Sequence, residues 1–202
     1  MWRFMKHYAL EIYTVLAMLF MVVTSFMNDL SVIQLFVVVF NLLFILHEWE
    51  ETAYPGGFID LISSLVEKNL TDDMRRASRI PAGILLAVVT LVPFIYDDVA
   101  MFAVSIATFG ILEGFVHTMG IRLFRLKRFY TPGMVTAWLE LATSIALITY
   151  LAIHHLAHWY DYVCGALMLI ICFAIMQKTI TMMVGVQYSD VPRLLKKQLT
   201  KK

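Results

Sequence analysis

Six long apolar runs dominate this sequence, at about 8–27, 30–47, 80–96, 99–123, 134–153 and 160–184. A helix needs roughly 20 mostly apolar residues to cross the hydrocarbon of a bilayer. In that medium the backbone must satisfy its own hydrogen bonds, which a helix does within one segment. The runs therefore predict an all-α, polytopic transmembrane bundle of about six helices. The chain has 202 residues and is 60% hydrophobic, whereas a soluble domain is about 45–50% apolar. That excess sits in the runs and leaves no extended stretch for a soluble domain, so residues 1–202 are expected to form one transmembrane domain. The first run follows Arg3, Lys6 and His7. It exceeds a typical signal-peptide core and lacks a small-x-small cleavage site, so it reads as a retained helix.

Charge gives the orientation. With the N-terminus inside and six crossings, all sixteen Lys and Arg residues fall on one side. They cluster before the first run, at Lys68–Arg79, at Arg122–Arg128, and from Lys178 into the tail. The opposite loops carry Asp29, Asp97, Asp98, Asp161 and three histidines, with no Lys or Arg. By the positive-inside rule both termini are expected in the cytoplasm, and the bilayer is expected to be a bacterial cytoplasmic (inner) membrane. The net charge of +1 points to no nucleic-acid partner. The basic tail from Arg193 to Lys202 reads as a topology anchor that can touch anionic lipid.

The long connection after the second run opens with Pro55-Gly56-Gly57, a turn signal. Beyond it Phe58, Leu61, Ile62, Leu65 and Val66 recur at helical spacing, with polar residues between them. This predicts a short amphipathic helix over about 58–70, lying in the cytoplasmic interface. Such a helix can also cover a site beneath it. Gly110-x-x-x-Gly114 permits close helix approach around Glu113. Gln34, Asn41 and Glu48 form a seven-residue stripe that is expected to bond neighbouring helices. Cys164 and Cys172, about 12 Å apart along one helix, are too distant for a disulfide.

The chemistry lies in the ionisable residues within the runs, because a charge at the bilayer centre costs about 2.5–3.5 kcal/mol on insertion scales. His47, Glu50 and Glu51 share one helix side at i, i+3 and i+4. Glu113 and His117 do the same one turn apart, and Glu140 and Glu11 stand on two further helices. In the six-span topology all these groups fall at one depth, about 5–15 Å from the cytoplasmic boundary. That coincidence predicts one polar site in the inner leaflet. Glu11 reads as an interfacial residue. Imidazole and carboxylate suit zinc, iron or manganese, which makes His47, Glu50, Glu51, Glu113, His117 and Glu140 candidate ligands of a divalent metal. Bundles carrying Glu and His also build di-iron sites, but the Glu-x-x-His repeat of those sites is missing here. A metal-free Glu–His acid–base site is the other chemical reading. His154, His155 and His158, on the outer side, read as an interfacial loop.

The segment His47-Glu48-Trp49-Glu50-Glu51 resembles the motif of the HXXEE family of small membrane proteins. Pro55-Gly56-Gly57-Phe58, His117 and the stretch Tyr130-Thr131-Pro132-Gly133-Met134-Val135-Thr136-Ala137 resemble further elements of that family, in order. The resemblance implies His47, Glu50, Glu51 and His117 as the site, and implies no particular reaction. Glu113 and Glu140 are added on topology alone.

These features favour an enzyme of the inner leaflet acting on a lipidic substrate, with His47, Glu50, Glu51 and His117 holding a metal or moving a proton. A transporter needs polar groups along both halves of a path and broken helices in paired positions, and the sequence offers little of either. The remaining alternative is a membrane assembly or binding protein in which the cluster only ties helices together.

Overall fold

The structure is a computed structural model that describes residues 2–65 and 69–200. Every regular element among them is helical: α1 (Trp2–His7), α2 (Ala9–Ser25), α3 (Val32–Thr52), α4 (Phe58–Leu65), α5 (Asp72–Ile95), α6 (Ala100–Leu123), α7 (Met134–Ile153), α8 (Trp159–Met183), a 3₁₀ turn (Tyr188–Asp190) and α9 (Val191–Thr200). The fold is a helical bundle. Helices α3, α5, α6, α7 and α8 are each long and apolar enough to cross a membrane, and the protein is an integral membrane protein. The first expected span is α2, which has 17 residues. It follows a break at Tyr8 that separates it from α1.

Two boundaries differ from the sequence expectation. Helix α3 runs past His47 to Thr52, so the whole HEWEE segment is helical. Helix α5 starts at Asp72, eight residues before the expected start at Ile80. Thr71 explains this, because its side chain caps the helix by accepting from the Met74 N–H at 3.3 Å. Asp72 and Asp73 then place negative charge in the first turn, where the helix dipole favours it. The apolar run begins only inside this helix. The amphipathic helix is present as α4; of its expected continuation to residue 70, Val66, Glu67 and Lys68 lie outside the described residues, and Asn69 and Leu70 are not helical.

The middle of the bundle is an apolar core in which Phe40, Ile106, Leu147, Leu151 and Leu169 are fully enclosed. Phe44 and Phe109 meet edge to face with ring centroids 5.1 Å apart. Large side chains such as Leu19, Ile84, Ile145, Ile171 and Ile175 point outward, as expected of surfaces that face lipid tails. Gln34 donates to the Phe94 carbonyl of α5 at 3.0 Å. Asn41 donates to the Ala17 carbonyl of α2 at 3.1 Å. Two members of the polar stripe thus bond neighbouring helices, as expected.

Helices α6 and α7 pack closely through Gly110 and Gly114. A Cβ on Gly110 would collide with Ser144 and stand 2.9 Å from the Glu140 carbonyl, and one on Gly114 would stand 2.9 Å from Leu141 Cβ. This approach brings Glu113 of α6 and Glu140 of α7 to the same level. Helix α4 is tied to α5 by Asp60, which accepts from Arg75 at 2.7 Å and 3.0 Å.

Candidate functional site

The ends of α3 and α6 and the start of α7 meet at the end of the bundle that carries the arginines of α5 and the α6–α7 connection. His47 and Glu51 reach in from the last turns of α3, and Glu113 and His117 from the last turns of α6. All four are shielded, with side-chain exposures of 6% for His47, 16% for Glu51, 12% for Glu113 and 0% for His117. Each offers a ligand atom, and the four atoms lie within 4.8 Å of one another. His117 Nε2 is 3.0 Å from Glu51 Oε1 and 3.6 Å from Glu113 Oε2. His47 Nε2 is 3.5 Å and 3.8 Å from the same two oxygens. The imidazole rings stand perpendicular, with centroids 5.0 Å apart.

Two threonines orient the imidazoles. Thr136 Oγ1 donates to Glu50 Oε2 at 2.6 Å, so its single proton is committed. It can then only accept from His47 Nδ1, which lies 3.0 Å away. Thr131 Oγ1 donates to the His117 carbonyl and accepts from His117 Nδ1, both at 3.1 Å. Both rings therefore carry a proton on Nδ1 and turn Nε2 toward the carboxylates. His117 Nε2 is buried without an aligned hydrogen bond, despite the oxygen 3.0 Å away. Metal-bound histidines are commonly held this way, with the second ring nitrogen donating to a fixed acceptor.

Metal bonds of about 2.0–2.1 Å place tetrahedral donors about 3.3–3.4 Å apart. The four nitrogen–oxygen separations bracket that value. Two imidazoles and two carboxylates also match the donor preference of zinc, iron or manganese.

Glu50 sits elsewhere. Its carboxylate accepts from the Thr136 and Val135 N–H groups at 2.9 Å and 3.2 Å, and from the Tyr130 hydroxyl at 2.9 Å. It caps the N-terminus of α7 and holds Thr136 in place, so it acts on the cluster through His47. Burial and the hydrogen bond to Glu50 push the Tyr130 hydroxyl up to about 12, which keeps it a donor. Glu140 is enclosed behind His47, with Oε1 4.0 Å from His47 Nδ1. Neither of its oxygens has a hydrogen-bond partner. Glu11 is exposed on α2, as expected of an interfacial residue.

Gly133 makes the site possible. Its φ of +92° lies in the left-handed region, where residues with a Cβ are strained. A Cβ there would also stand 2.7 Å from Glu51 Cγ and His117 Cε1, and 3.0 Å from His47 Cε1. The Thr-Pro-Gly segment thus supplies Thr131 to one imidazole and a close floor to both.

Residues 38–149 match the family described as "Protein of unknown function with HXXEE motif", more than half of the chain. The protein belongs to the HXXEE family. No curated protein and no solved structure matches it. The matched span of this HXXEE protein contains all four converging ligand groups, both threonines and Gly133, so the family segment and the geometric site coincide.

Sequence reasoning gave no site role to Thr131, Thr136 and Arg79, and it assigned Glu48 to a helix-bonding stripe rather than to the site. The two threonines stand in the family-like stretch, and their positions flanking Gly133 were the available signal. Glu48 and Arg79 line a cavity of about 170 Å³ beside the cluster, together with His47, Glu51 and Glu113. Phe58 covers His117 with ring centroids 4.5 Å apart, and Ile59 and Ile62 of α4 line the same cavity. Helix α4 therefore covers the site, as its position in the sequence allowed.

Proposed function

We propose that this HXXEE protein is a metal-dependent membrane enzyme that acts on a lipidic substrate from the cytoplasmic leaflet of a bacterial inner membrane. The observation that carries this reading is the grouping of His47 Nε2, His117 Nε2 and the Glu51 and Glu113 carboxylates, with nitrogen–oxygen separations of 3.0–3.8 Å. These four residues would hold the metal. A divalent ion held there would supply Lewis acidity toward a substrate oxygen. Thr131 and Thr136 fix both imidazole tautomers, and Glu50 fixes Thr136. Glu140, 4.0 Å from His47 Nδ1, stabilises positive charge on that ring and is the nearest group behind it able to take up a proton. Helix α4 and the surrounding apolar walls exclude bulk water, which strengthens each electrostatic contact in the site. The cytoplasmic assignment rests on the positive-inside rule, since this end of the bundle carries the basic residues.

Elemental analysis of the detergent-purified protein tests the reading, beside a His47→Ala/His117→Ala variant that remains folded. The expected result is about one equivalent of zinc, iron or manganese, lost in the variant. Absence of metal from both, after purification without chelator and with metal supplied, rejects the metal reading and leaves a Glu–His acid–base site or a structural cluster.

A further inference from the structure

Away from the His/Glu cluster, a cavity of about 430 Å³ opens between α1 and the first turns of α5, lined by Arg3, Lys6, His7, Asp73 and Arg76. Arg3, Lys6 and His7 recur at i, i+3 and i+4, so one side of α1 is basic. Its other side carries Phe4 and Met5, which are exposed, as is Tyr8 at the break before α2. The Phe4 and Tyr8 rings lie together, with centroids 4.9 Å apart. Helix α1 thus has one basic and one apolar face, as helices of the membrane interface do. Helix α2 follows at once, with Val15, Leu16 and Leu19 turned outward. The basic cavity therefore stands beside the start of a lipid-facing surface.

Contacts between distant parts of the chain hold this cavity in shape. Lys6 Nζ donates to both oxygens of Asp73, at 2.7 Å and 2.6 Å, and the Lys6 side chain is only 14% exposed. Arg76 Nη1 donates to the His7 carbonyl and to His7 Nδ1, both at 3.1 Å. A guanidinium can only donate, so His7 Nδ1 accepts and the ring proton is on Nε2. Asp73 is the single carboxylate in the lining, against Arg3, Lys6 and Arg76. With His7 neutral the lining carries two surplus positive charges. The neighbouring Asp72 is bonded to Arg75, and Glu11 is not in the lining. Donors are in surplus as well. Arg3 makes no hydrogen bond or ion pair among the described residues, and Arg76 keeps its Nε and Nη2 hydrogens. Two guanidinium forks match the oxygens of a phosphate.

We propose that the cavity between α1 and α5 binds the phosphate of an anionic phospholipid of the cytoplasmic leaflet, with the acyl chains lying along Phe4, Tyr8 and the outer face of α2. Basic pockets on the cytoplasmic side of membrane helices take such headgroups. An ammonium group on the same headgroup would meet the surplus positive charge, so a headgroup whose only charge is its phosphate is preferred. The apolar surface beside the cavity favours a lipid phosphate over free phosphate. None of this rests on the metal reading above.

Native mass spectrometry of the full-length protein, from micelles holding equal amounts of phosphatidylglycerol and phosphatidylcholine, tests the proposal. Phosphatidylglycerol is expected to be retained about tenfold over phosphatidylcholine. Arg3→Glu reverses a charge in the lining without removing a bond, and is expected to lower that retention about tenfold or more. Arg3→Gln serves if the first variant does not fold. Arg128→Glu makes the same charge change in the α6–α7 connection, where Arg128 is exposed and outside the lining. It is expected to leave retention within about twofold, because a bound headgroup is screened from charges more than a Debye length away. Equal retention of the two lipids, or equal losses in Arg3→Glu and Arg128→Glu, overturns the pocket in favour of diffuse attraction to the basic end. Thermal unfolding in lipid-free detergent separates the two sources of phosphate. Millimolar inorganic phosphate is expected to leave the melting temperature unchanged, whereas phosphatidylglycerol raises it. A rise with inorganic phosphate that matches the rise with the lipid, and that Arg3→Glu abolishes, overturns the lipid and leaves a site for the free anion.

Discussion

Both ends of the bundle carry histidine beside acidic residues, and only one end makes a site of them. At the basic end His47 and His117 are buried, pinned through Nδ1 by threonines, and aimed at two shared carboxylate oxygens. At the other end His154, His155 and His158 are exposed. His154 lies against Tyr150 with the rings tilted and centroids 4.5 Å apart. His158 precedes α8, and its N–H donates to Asp161 at 2.8 Å. Its role there is to start a helix. The lesson is that residue type carries little by itself. What separates the ends is burial together with a second layer of hydrogen bonds that fixes each ring.

Exchanging the groups breaks the comparison most strongly. The His47→Ala/His117→Ala variant is expected to lose its metal, whereas His154→Ala/His155→Ala/His158→Ala is expected to keep it, as read by elemental analysis of both. Equal losses from both variants would remove the distinction between the ends. A smaller effect is expected from Thr136→Val or Thr131→Val, which remove the acceptor for an imidazole Nδ1–H. Metal affinity should fall about 10–100-fold, the usual range for such outer partners, as measured by competition with a chelator.

Gly133 and Gly57, both left-handed, sharpen the comparison further. Gly133→Ala adds a Cβ 2.7 Å from Glu51 and His117. It is expected to lower metal affinity and to cost more stability than the conformational penalty of about 1–2 kcal/mol. Gly57, with φ of +100°, has nothing within 4 Å of an added Cβ. Gly57→Ala should cost the conformational penalty alone and leave the metal in place. The smallest effect is expected at Glu50, where replacement by Ala removes the cap of α7. Stability should fall by about 1–2 kcal/mol, within the range of lost caps. The metal should weaken but remain, because Glu50 reaches the cluster only through Thr136. Complete loss of metal from a folded Glu50→Ala protein would make Glu50 a ligand instead.

Much of this was legible in the sequence, for reasons specific to membranes. Long apolar runs leave the backbone one solution, so the helices could be read directly. The coincidence in depth of His47, Glu51, Glu113 and His117 followed from helix rise once the charges had ordered the spans. Glu50 was less legible. It shares a face with His47 at i+3, but its carboxylate is taken by the N-terminus of α7, a contact 86 residues away in sequence. Periodicity within one helix cannot foresee such a competitor. The start of α5 was hidden because Arg75, Arg76 and Arg79 interrupt the hydropathy, although the Thr71 cap and the two aspartates that follow it mark a helix start. Thr136 went unread because a hydroxyl in a helix usually bonds its own backbone, as Thr14, Thr108 and Thr118 do here, and Thr131 lies in the α6–α7 connection, where nothing local aims it at His117. Only the fold shows which ones turn outward to a histidine.

The central claim is that four side chains converge on one ion. X-ray absorption at the metal edge of the purified protein tests it most directly. The predicted spectrum shows a first shell of nitrogen and oxygen only, at about 2.0–2.2 Å, with outer-shell scattering from two imidazoles. That imidazole signal should fall by half in a His117→Ala sample reloaded with metal. A shell containing sulfur, or an imidazole signal unchanged by that substitution, contradicts the account.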